Sequence, residues 1–188
     1  MIKSKTDLMY YLVEDKKALG VNGLKDYLLH DIWRFQRLLR ITEYKCNSVP
    51  SSFGKFIALI YRYKLNRYGR KLGFSIPVNT FGAGLSIAHR GTIVVNSKVR
   101  VGKRCRIHVC VNLGASAGAS NEAPILGDDC YIAPGAKIYG NINIGNNTAI
   151  GANAVVNKSF ISGNQTVAGV PAKKINDIGP LQFRACIK

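Results

Sequence analysis

Divided into sixes, residues 126–155 read LGDDCY IAPGAK IYGNIN IGNNTA IGANAV. Each block opens on Leu or Ile, usually followed by a small residue. An α-helix repeats every 3.6 residues and a plain strand every two, so neither accounts for this pattern. The same phase runs through Val95, Val101, Ile107 and Leu113, and after an interruption through Leu126, Ile132, Ile138, Ile144, Ile150 and Val156. Four places on from a leader stand Val99, Cys105, Val111, Cys130, Ala136, Ile142, Thr148 and Ala154, all small or β-branched. A fixed short period is the mark of a solenoid, and a period of six is that of a parallel β-helix. Each hexad is then a short strand and a turn, and three of them close a triangular coil of about 18 residues. The leading residue fills the coil, and its companion faces in near a corner where only a compact side chain fits. Gly, Asn and Asp supply the turns. On this reading Cys105 and Cys130 are small core residues.

The interruption, GASAGASNEAP between Leu113 and Leu126, is a loop leaving a corner. Loops thrown out by a solenoid tend to lie on its working face.

Residues 1–73 have a different pattern and read as helical. TDLMYYLVEDKKAL begins with Thr6 as N-cap and stops before Gly20. LKDYLLHDIWRFQRLLRITEY reads as one helix, with Leu28, Ile32, Phe35, Leu38 and Leu39 on one face. NSVPSS breaks the pattern, and FGKFIALIYRYKLNRYGRKLG resumes it. That last segment sets Phe56, Leu59, Ile60, Tyr63 and Leu65 against Lys55, Arg62, Lys64, Arg67, Arg70 and Lys71. A basic amphipathic helix can lie on a membrane or touch RNA. Its stripe is no broader than a packing helix needs, so the sequence assigns it to packing on the rest of the chain. The expected organisation is a helical region at 1–73, the coil at 74–176 and a tail at 177–188.

The 188 residues carry a net charge of +17, split almost evenly between the helical and repetitive halves. Such a charge attracts nucleic acid, anionic membranes or small polyanions without choosing among them. No nucleic-acid-binding module is visible, so nucleic acid is not an expected partner. The five cysteines form no CxxC pair, and no metal site is expected. No apolar run is long enough for a membrane span, and MIKSKTDLMYYLVEDKK lacks the apolar core of a secretory signal. The expected location is the cytoplasm.

SIAHRGTIVV, IHVCVNLGAS, the hexads of 125–156 and VAGVPAKKI, in that order, resemble the hexapeptide-repeat acyltransferases. Among these they are most similar to the serine acetyltransferase family and its sugar-modifying relatives. The resemblance spans residues 74–176. It implies a left-handed parallel β-helix with an N-terminal helical region, assembled as a homotrimer, with pairs of trimers joined through the helical N-termini as a family variant. It implies acetyl-CoA as co-substrate, lying in a groove between subunits, and an acceptor that is a small molecule with a hydroxyl group. His89, in the motif AHRG, takes the place of the family's general base. Histidine suits that work at neutral pH. The resemblance places Ala115 beside the thioester and Ala133, Pro134 and Ala152 along the pantetheine arm. Lys173 and Lys174 follow Pro171-Ala172 at the adenine end, placed to pair with phosphates. An oxyanion contact falls to a backbone N–H or to Asn112.

One further residue follows from counting. Ile87 and Ile107 are 20 residues apart, and two of those residues, Ile93 and Val94, are out of phase. Ile107 should therefore stack on Ile87, which brings His108 beside His89 at the acceptor site. The competing reading of His108 is a surface histidine bonded to backbone. His30, in the helical region, is expected to do no chemistry.

Three positions depart from the serine acetyltransferases. Phe74 or Ser75 stands where they have an aspartate that partners the histidine. Ala88 stands in place of the aspartate before the histidine. Ala123 stands in place of a second histidine in the loop, with Glu122 before it as a replacement carboxylate. A buried ammonium without a carboxylate binds poorly. These departures make a sugar or sugar-linked hydroxyl the first expectation for the acceptor, with Arg100, Lys103, Arg104 and Arg106 facing an anionic substrate. Serine, as in cysteine biosynthesis, is the alternative, and a β-helix scaffold without catalysis is the alternative of another class.

Overall fold

The computed structural model describes residues 1–48, 51–118 and 122–184. Four helices open the chain: α1 (Lys5–Leu19), α2 (Gly23–Leu29), α3 (Asp31–Asn47) and α4 (Ser52–Leu72). The cap of α1 is Ser4 rather than Thr6. Ser4 Oγ accepts from the Asp7 N–H and the Asp7 carboxylate accepts from the Ser4 N–H, a reciprocal capping box that Thr6 has no partner to form. Gly20 then closes the helix in the left-handed conformation. The stretch expected as one helix is two. His30 leaves helical geometry and its Nδ1 accepts from the Trp33 N–H, so this histidine is the N-cap of α3. Cys186 and the Leu28 side chain lie outside the described residues.

The strands are short, as a six-residue repeat demands. They are β1 (Phe74–Ser75), β2 (Ser86–Ile87), β3 (Ile93–Val95), β4 (Arg100–Val101), β5 (Arg106–Ile107), β6 (Val111–Gly114), β7 (Ile125–Leu126), β8 (Tyr131–Ile132), β9 (Lys137–Tyr139), β10 (Asn143–Ile144), β11 (Thr148–Ile150), β12 (Val155–Val156), β13 (Gln165–Ala168) and β14 (Lys173–Asn176). A short helix, α5 (Pro180–Arg184), follows. Three sheets result. The first is β1-β3-β6-β9-β12, the second β4-β7-β10, and the third β2-β5-β8-β11-β13-β14. Every pairing is parallel except that of β13 with the returning β14. From β2 onward the chain visits the third, first and second sheets in turn, which is a three-sided coil.

All ten hexad leaders and their eight companions lie inside, none more than 7% exposed. Ile87, Ile107 and Ile132 pair in direct register, as do Leu113 and Ile138. Each leader thus packs on the leader one coil away. The turns use the left-handed backbone at Asp129, Asn147, Asn153 and Asn164, and also at Arg104 and Cys110.

The first coil has no preceding coil to satisfy its backbone. Helices α1 and α3 do so with side chains. Gln36 Nε2 donates to the Leu85 carbonyl and Gln36 Oε1 accepts from the Ile87 N–H. Asp15 Oδ1 accepts from the N–H groups of Gly84 and Leu85. Glu43 accepts from the Asn79 N–H. At the centre is Arg40, fully buried, donating to Asp15 (2.8 Å), Glu43 (3.0 Å), and the carbonyls of Phe81 (2.8 Å) and Gly82 (2.7 Å). Burial alone would favour loss of its proton, but Glu43 and Asp15 outweigh that and hold the guanidinium firmly ionised.

Helix α4 corrects the expectation of a packed apolar stripe. It meets α3 and β1 through Gly54, Ala58, Leu65, Gly69 and Leu72. Small residues permit close approach: a Cβ added at Gly69 would stand 2.6 Å from the Phe74 carbonyl oxygen. Of the five residues expected to pack, only Leu65 is buried, while Phe56, Leu59, Ile60 and Tyr63 face outward.

Replacing Arg40 with Met should cost about 3–5 kcal/mol, because Asp15 and Glu43 would be left as buried, unpaired charges. Denaturant unfolding of the two proteins measures this directly. A loss below about 1 kcal/mol would mean that the cluster is not what fixes the helices to the coil.

Candidate functional site

One corner of the coil, where the chain passes from the third sheet to the first, collects half of the expected site residues: His89, His108, Ala133, Pro134 and Ala152. Ala88, His108, Ala133 and Gly151 follow each other up this edge. Their N–H groups donate to the carbonyls of Ile107, Ile132, Ile150 and Val167 in the neighbouring coils, at 2.8–3.1 Å. His89 stands exposed just after Ala88. Its ring centroid is 6.1 Å from that of His108. The count of two extra residues therefore placed the two histidines side by side, but those residues are not Ile93 and Val94. Ile93 is buried and pairs with Val111, Val94 pairs with Asn112, and the extra length falls in the turn at 88–92.

His108 is the more unusual of the pair. It is 9% exposed, its ring packs 5.0 Å from that of Tyr131, and its Nε2 has no hydrogen-bond partner among the described residues. Burial, reinforced by the nearby Arg106 and by His89, holds its imidazole below the ordinary value. His108 is therefore neutral at physiological pH and keeps one nitrogen free. It lines a cavity of about 890 Å³ together with Ser86, Arg106, Tyr131, Ala133 and Thr166, closed on one side by Glu14, Lys17 and Ala18 of α1. Arg106 Nη1 donates to Ser86 Oγ at 2.9 Å, which aims the guanidinium along the cavity wall.

Ser86, Arg106 and Tyr131 were not anticipated as site residues, apart from Arg106 as one of a basic cluster. A signal was present. Each directly precedes a hexad leader (Ile87, Ile107, Ile132), and that position faces outward from the third sheet in one column.

The other expected residues fall into two groups. Pro134 and Ala152 are exposed on the histidine corner in later coils, where the Asn153 N–H donates to the Pro134 carbonyl. Asn112, Ala115 and Glu122 belong elsewhere. Asn112 is on the exposed face of the first sheet between Val94 and Lys137, Ala115 follows the end of β6, and Glu122 is exposed just before β7. Part of the loop, residues 119–121, lies outside the described residues. At the far end Lys173 is exposed, whereas Lys174 is ion-paired with Asp177. The basic cluster is also not uniform: Arg104 is held by Asp129 at 2.6 Å, and Arg100 donates to the carbonyls of Ser97 and Val99. Among the described residues no group of three or more His, Cys, Asp or Glu is placed to hold a metal ion.

A family model described as bacterial transferase hexapeptide (six repeats) matches residues 123–158. The serine acetyltransferase of Synechococcus elongatus is 36% identical over 100 residues, 53% of this chain and 41% of that protein. That of Buchnera aphidicola from Acyrthosiphon pisum is 28% identical over 185 residues, 94% of this chain and 65% of that protein. A serine acetyltransferase solved as a complex with CoA matches with a TM-score of 0.73 at 26% identity, over 91% of this chain and 71% of that one. The Neisseria gonorrhoeae serine acetyltransferase solved in complex with serine matches with a TM-score of 0.74 at 25% identity, over 92% and 71%. The chain is thus similar to serine acetyltransferases over most of its length, and residues 123–158 match the hexapeptide-repeat transferase model. It spans less than two thirds of the length of these two curated relatives. These comparisons overturn the expectation of a sugar acceptor. The similar proteins are serine acetyltransferases, and a solved relative holds serine itself. The absence of carboxylates at Phe74, Ser75 and Ala88 does not by itself exclude serine, because residue types at three positions do not fix where charges lie in space.

The depressed His108 imidazole ties stability to pH. Below the ordinary histidine value the unfolded chain takes up a proton that the folded chain refuses, so stability should fall as pH drops through that range. The His108→Gln variant should lose less over the same interval in urea unfolding followed from pH 7.5 to pH 5, solution conditions set at roughly one unit either side of the imidazole range. Equal slopes would show that His108 titrates normally.

Proposed function

We propose that this protein is an acetyl-CoA-dependent serine O-acetyltransferase with His89 as general base. The observation that carries the proposal is the exposed His89 beside a buried His108 that lines a cavity and whose Nε2 is unpartnered. The names of the similar proteins support serine as acceptor, and the complex with CoA of one of them supports the co-substrate.

The corner fits the pantetheine arm of a CoA thioester on its own terms. Ala88, Ala133, Gly151 and Ala152 put little side-chain bulk along successive coils, and a Cβ at Gly151 would stand only 2.7 Å from that of Ala168. When bound, acetyl-CoA supplies the acetyl group as a thioester. His89 accepts the proton of the serine hydroxyl as its oxygen bonds to the acetyl carbon. It returns that proton to the sulfur as the C–S bond breaks, so the base is regenerated. His108, packed beside His89 and lining the cavity, is placed to contact the acceptor or the leaving group. Arg106 is the natural partner for the serine carboxylate, because it lines the same cavity wall. Lys173 is placed to meet a phosphate, and Lys174 can do so by exchanging its solvent-exposed ion pair with Asp177.

The remaining pieces extend the same reading. The coil winds left-handed, as in the family. The site is completed in a homotrimer, because Asn112, Ala115 and Glu122 stand away from the histidine corner in a single chain. A neighbouring subunit would set them against it, giving Glu122 the ammonium of serine and Ala115 the thioester.

With L-serine and acetyl-CoA, followed as loss of thioester absorbance, the His89→Ala variant should lose about 10²–10⁴-fold in kcat with little change in the binding of either substrate. Serine turnover that survives this substitution would remove His89 as the base. Wild-type protein that binds CoA but leaves serine untouched would remove serine as the acceptor.

A further inference from the structure

The outer face of α4 is unlike the rest of the surface. Phe53, Phe56, Leu59 and Tyr63 are 74%, 59%, 64% and 59% exposed, and Ile60 lies among them. At 100° per residue they occupy one stripe, opposite the face that meets α3. Lys55 and Arg62 border it on one side and Lys64 and Lys71 on the other, while Arg67 and Arg70 continue it toward the C-terminal end. The helix has no acidic residue. On the Lys64 side a groove of about 310 Å³ opens between α3 and α4, lined by Arg34, Arg37, Lys64, Arg67 and Lys71 around Leu38 and Tyr68. Five cations thus converge beside a row of exposed apolar side chains.

We infer that this face docks on an anionic lipid bilayer, with the apolar stripe at the acyl boundary and the groove over lipid phosphates. Charge decides between this occupant and a second copy of the chain. The chain carries 27 Lys and Arg against 10 Asp and Glu, so a second copy brings net positive charge toward these cations, whereas an anionic leaflet brings the opposite charge. The protein lies on the membrane and does not span it, since no helix among the described residues is long and apolar enough to cross.

The test is flotation of the full chain with phosphatidylcholine vesicles, with and without phosphatidylglycerol. The chain should float only with the anionic vesicles. The Lys64→Gln/Arg67→Gln variant should partition about 25-fold more weakly, roughly fivefold per cation at an anionic surface. Phe56→Ser/Ile60→Ser should lose about tenfold or more, and Phe53→Ser/Leu59→Ser, at the most exposed positions, should do the same. Lys98→Gln/Lys158→Gln, which removes equal charge from the coil, should float like wild type, and far-UV melts should agree across the set. If the coil variant loses as much as the α4 charge variant, overall charge explains the binding and the inference fails. It fails equally if the apolar variants float normally while light scattering shows a smaller assembly, which would assign the face to a second copy.

Discussion

A stacked coil presents the same difficulty at its first turn as any sheet does at its edge: a row of backbone groups with nothing below them. Here α1 and α3 resolve it with Gln36, Asp15, Glu43 and Arg40. These polar side chains reproduce, donor for acceptor, the ladder that a preceding coil would provide. Arg40 holds two carboxylates and two carbonyls in place at once, so the helices and the coil share one rigid joint. Everything above follows from that joint. Ile87 is fixed by Gln36, Ile107 stacks on Ile87, and the two histidines come into contact as a consequence.

The coil could be read from the sequence because its rule is additive. One residue in six fills the interior, and stacking carries the register from coil to coil. Counting residues therefore amounted to measuring positions, which is why His108 was found beside His89. The joint escaped notice because it breaks the pattern of its own helix. Gln36, Arg40 and Glu43 sit at helical spacing on the same side of α3 as Ile32, Phe35 and Leu39. A polar column inside an apolar face is the trace such a joint leaves in a sequence. Helix α4 shows the converse limit. Periodicity reveals that a helix has an apolar face, and cannot reveal whether anything covers it. The alternation of Gly54, Ala58 and Gly69 was the better guide to the packed side, since close helix approach selects small residues.

The acceptor was harder to read for a different reason. Recognition of a zwitterion depends on where charges sit in space, and a coil of three faces brings distant residues to one wall. Arg106 and Ser86, on adjacent strands of the third sheet, are a case in point. Residue types at motif positions describe one route to that arrangement among several.

The position of the histidines along the coil also bears on how such a chain can change over time. His89 and His108 lie in the coils nearest the helical joint, whereas β11, β12 and β13 lie farther out. Whole coils added or removed at the distal end would leave the histidine pair where it is and alter only the length of the groove beyond it. A whole coil inserted between β2 and β5 would not be tolerated in the same way, because it would separate the two rings. The architecture thus divides into an anchored segment, where no coil can be added, and an outer segment whose length is free to drift in whole turns.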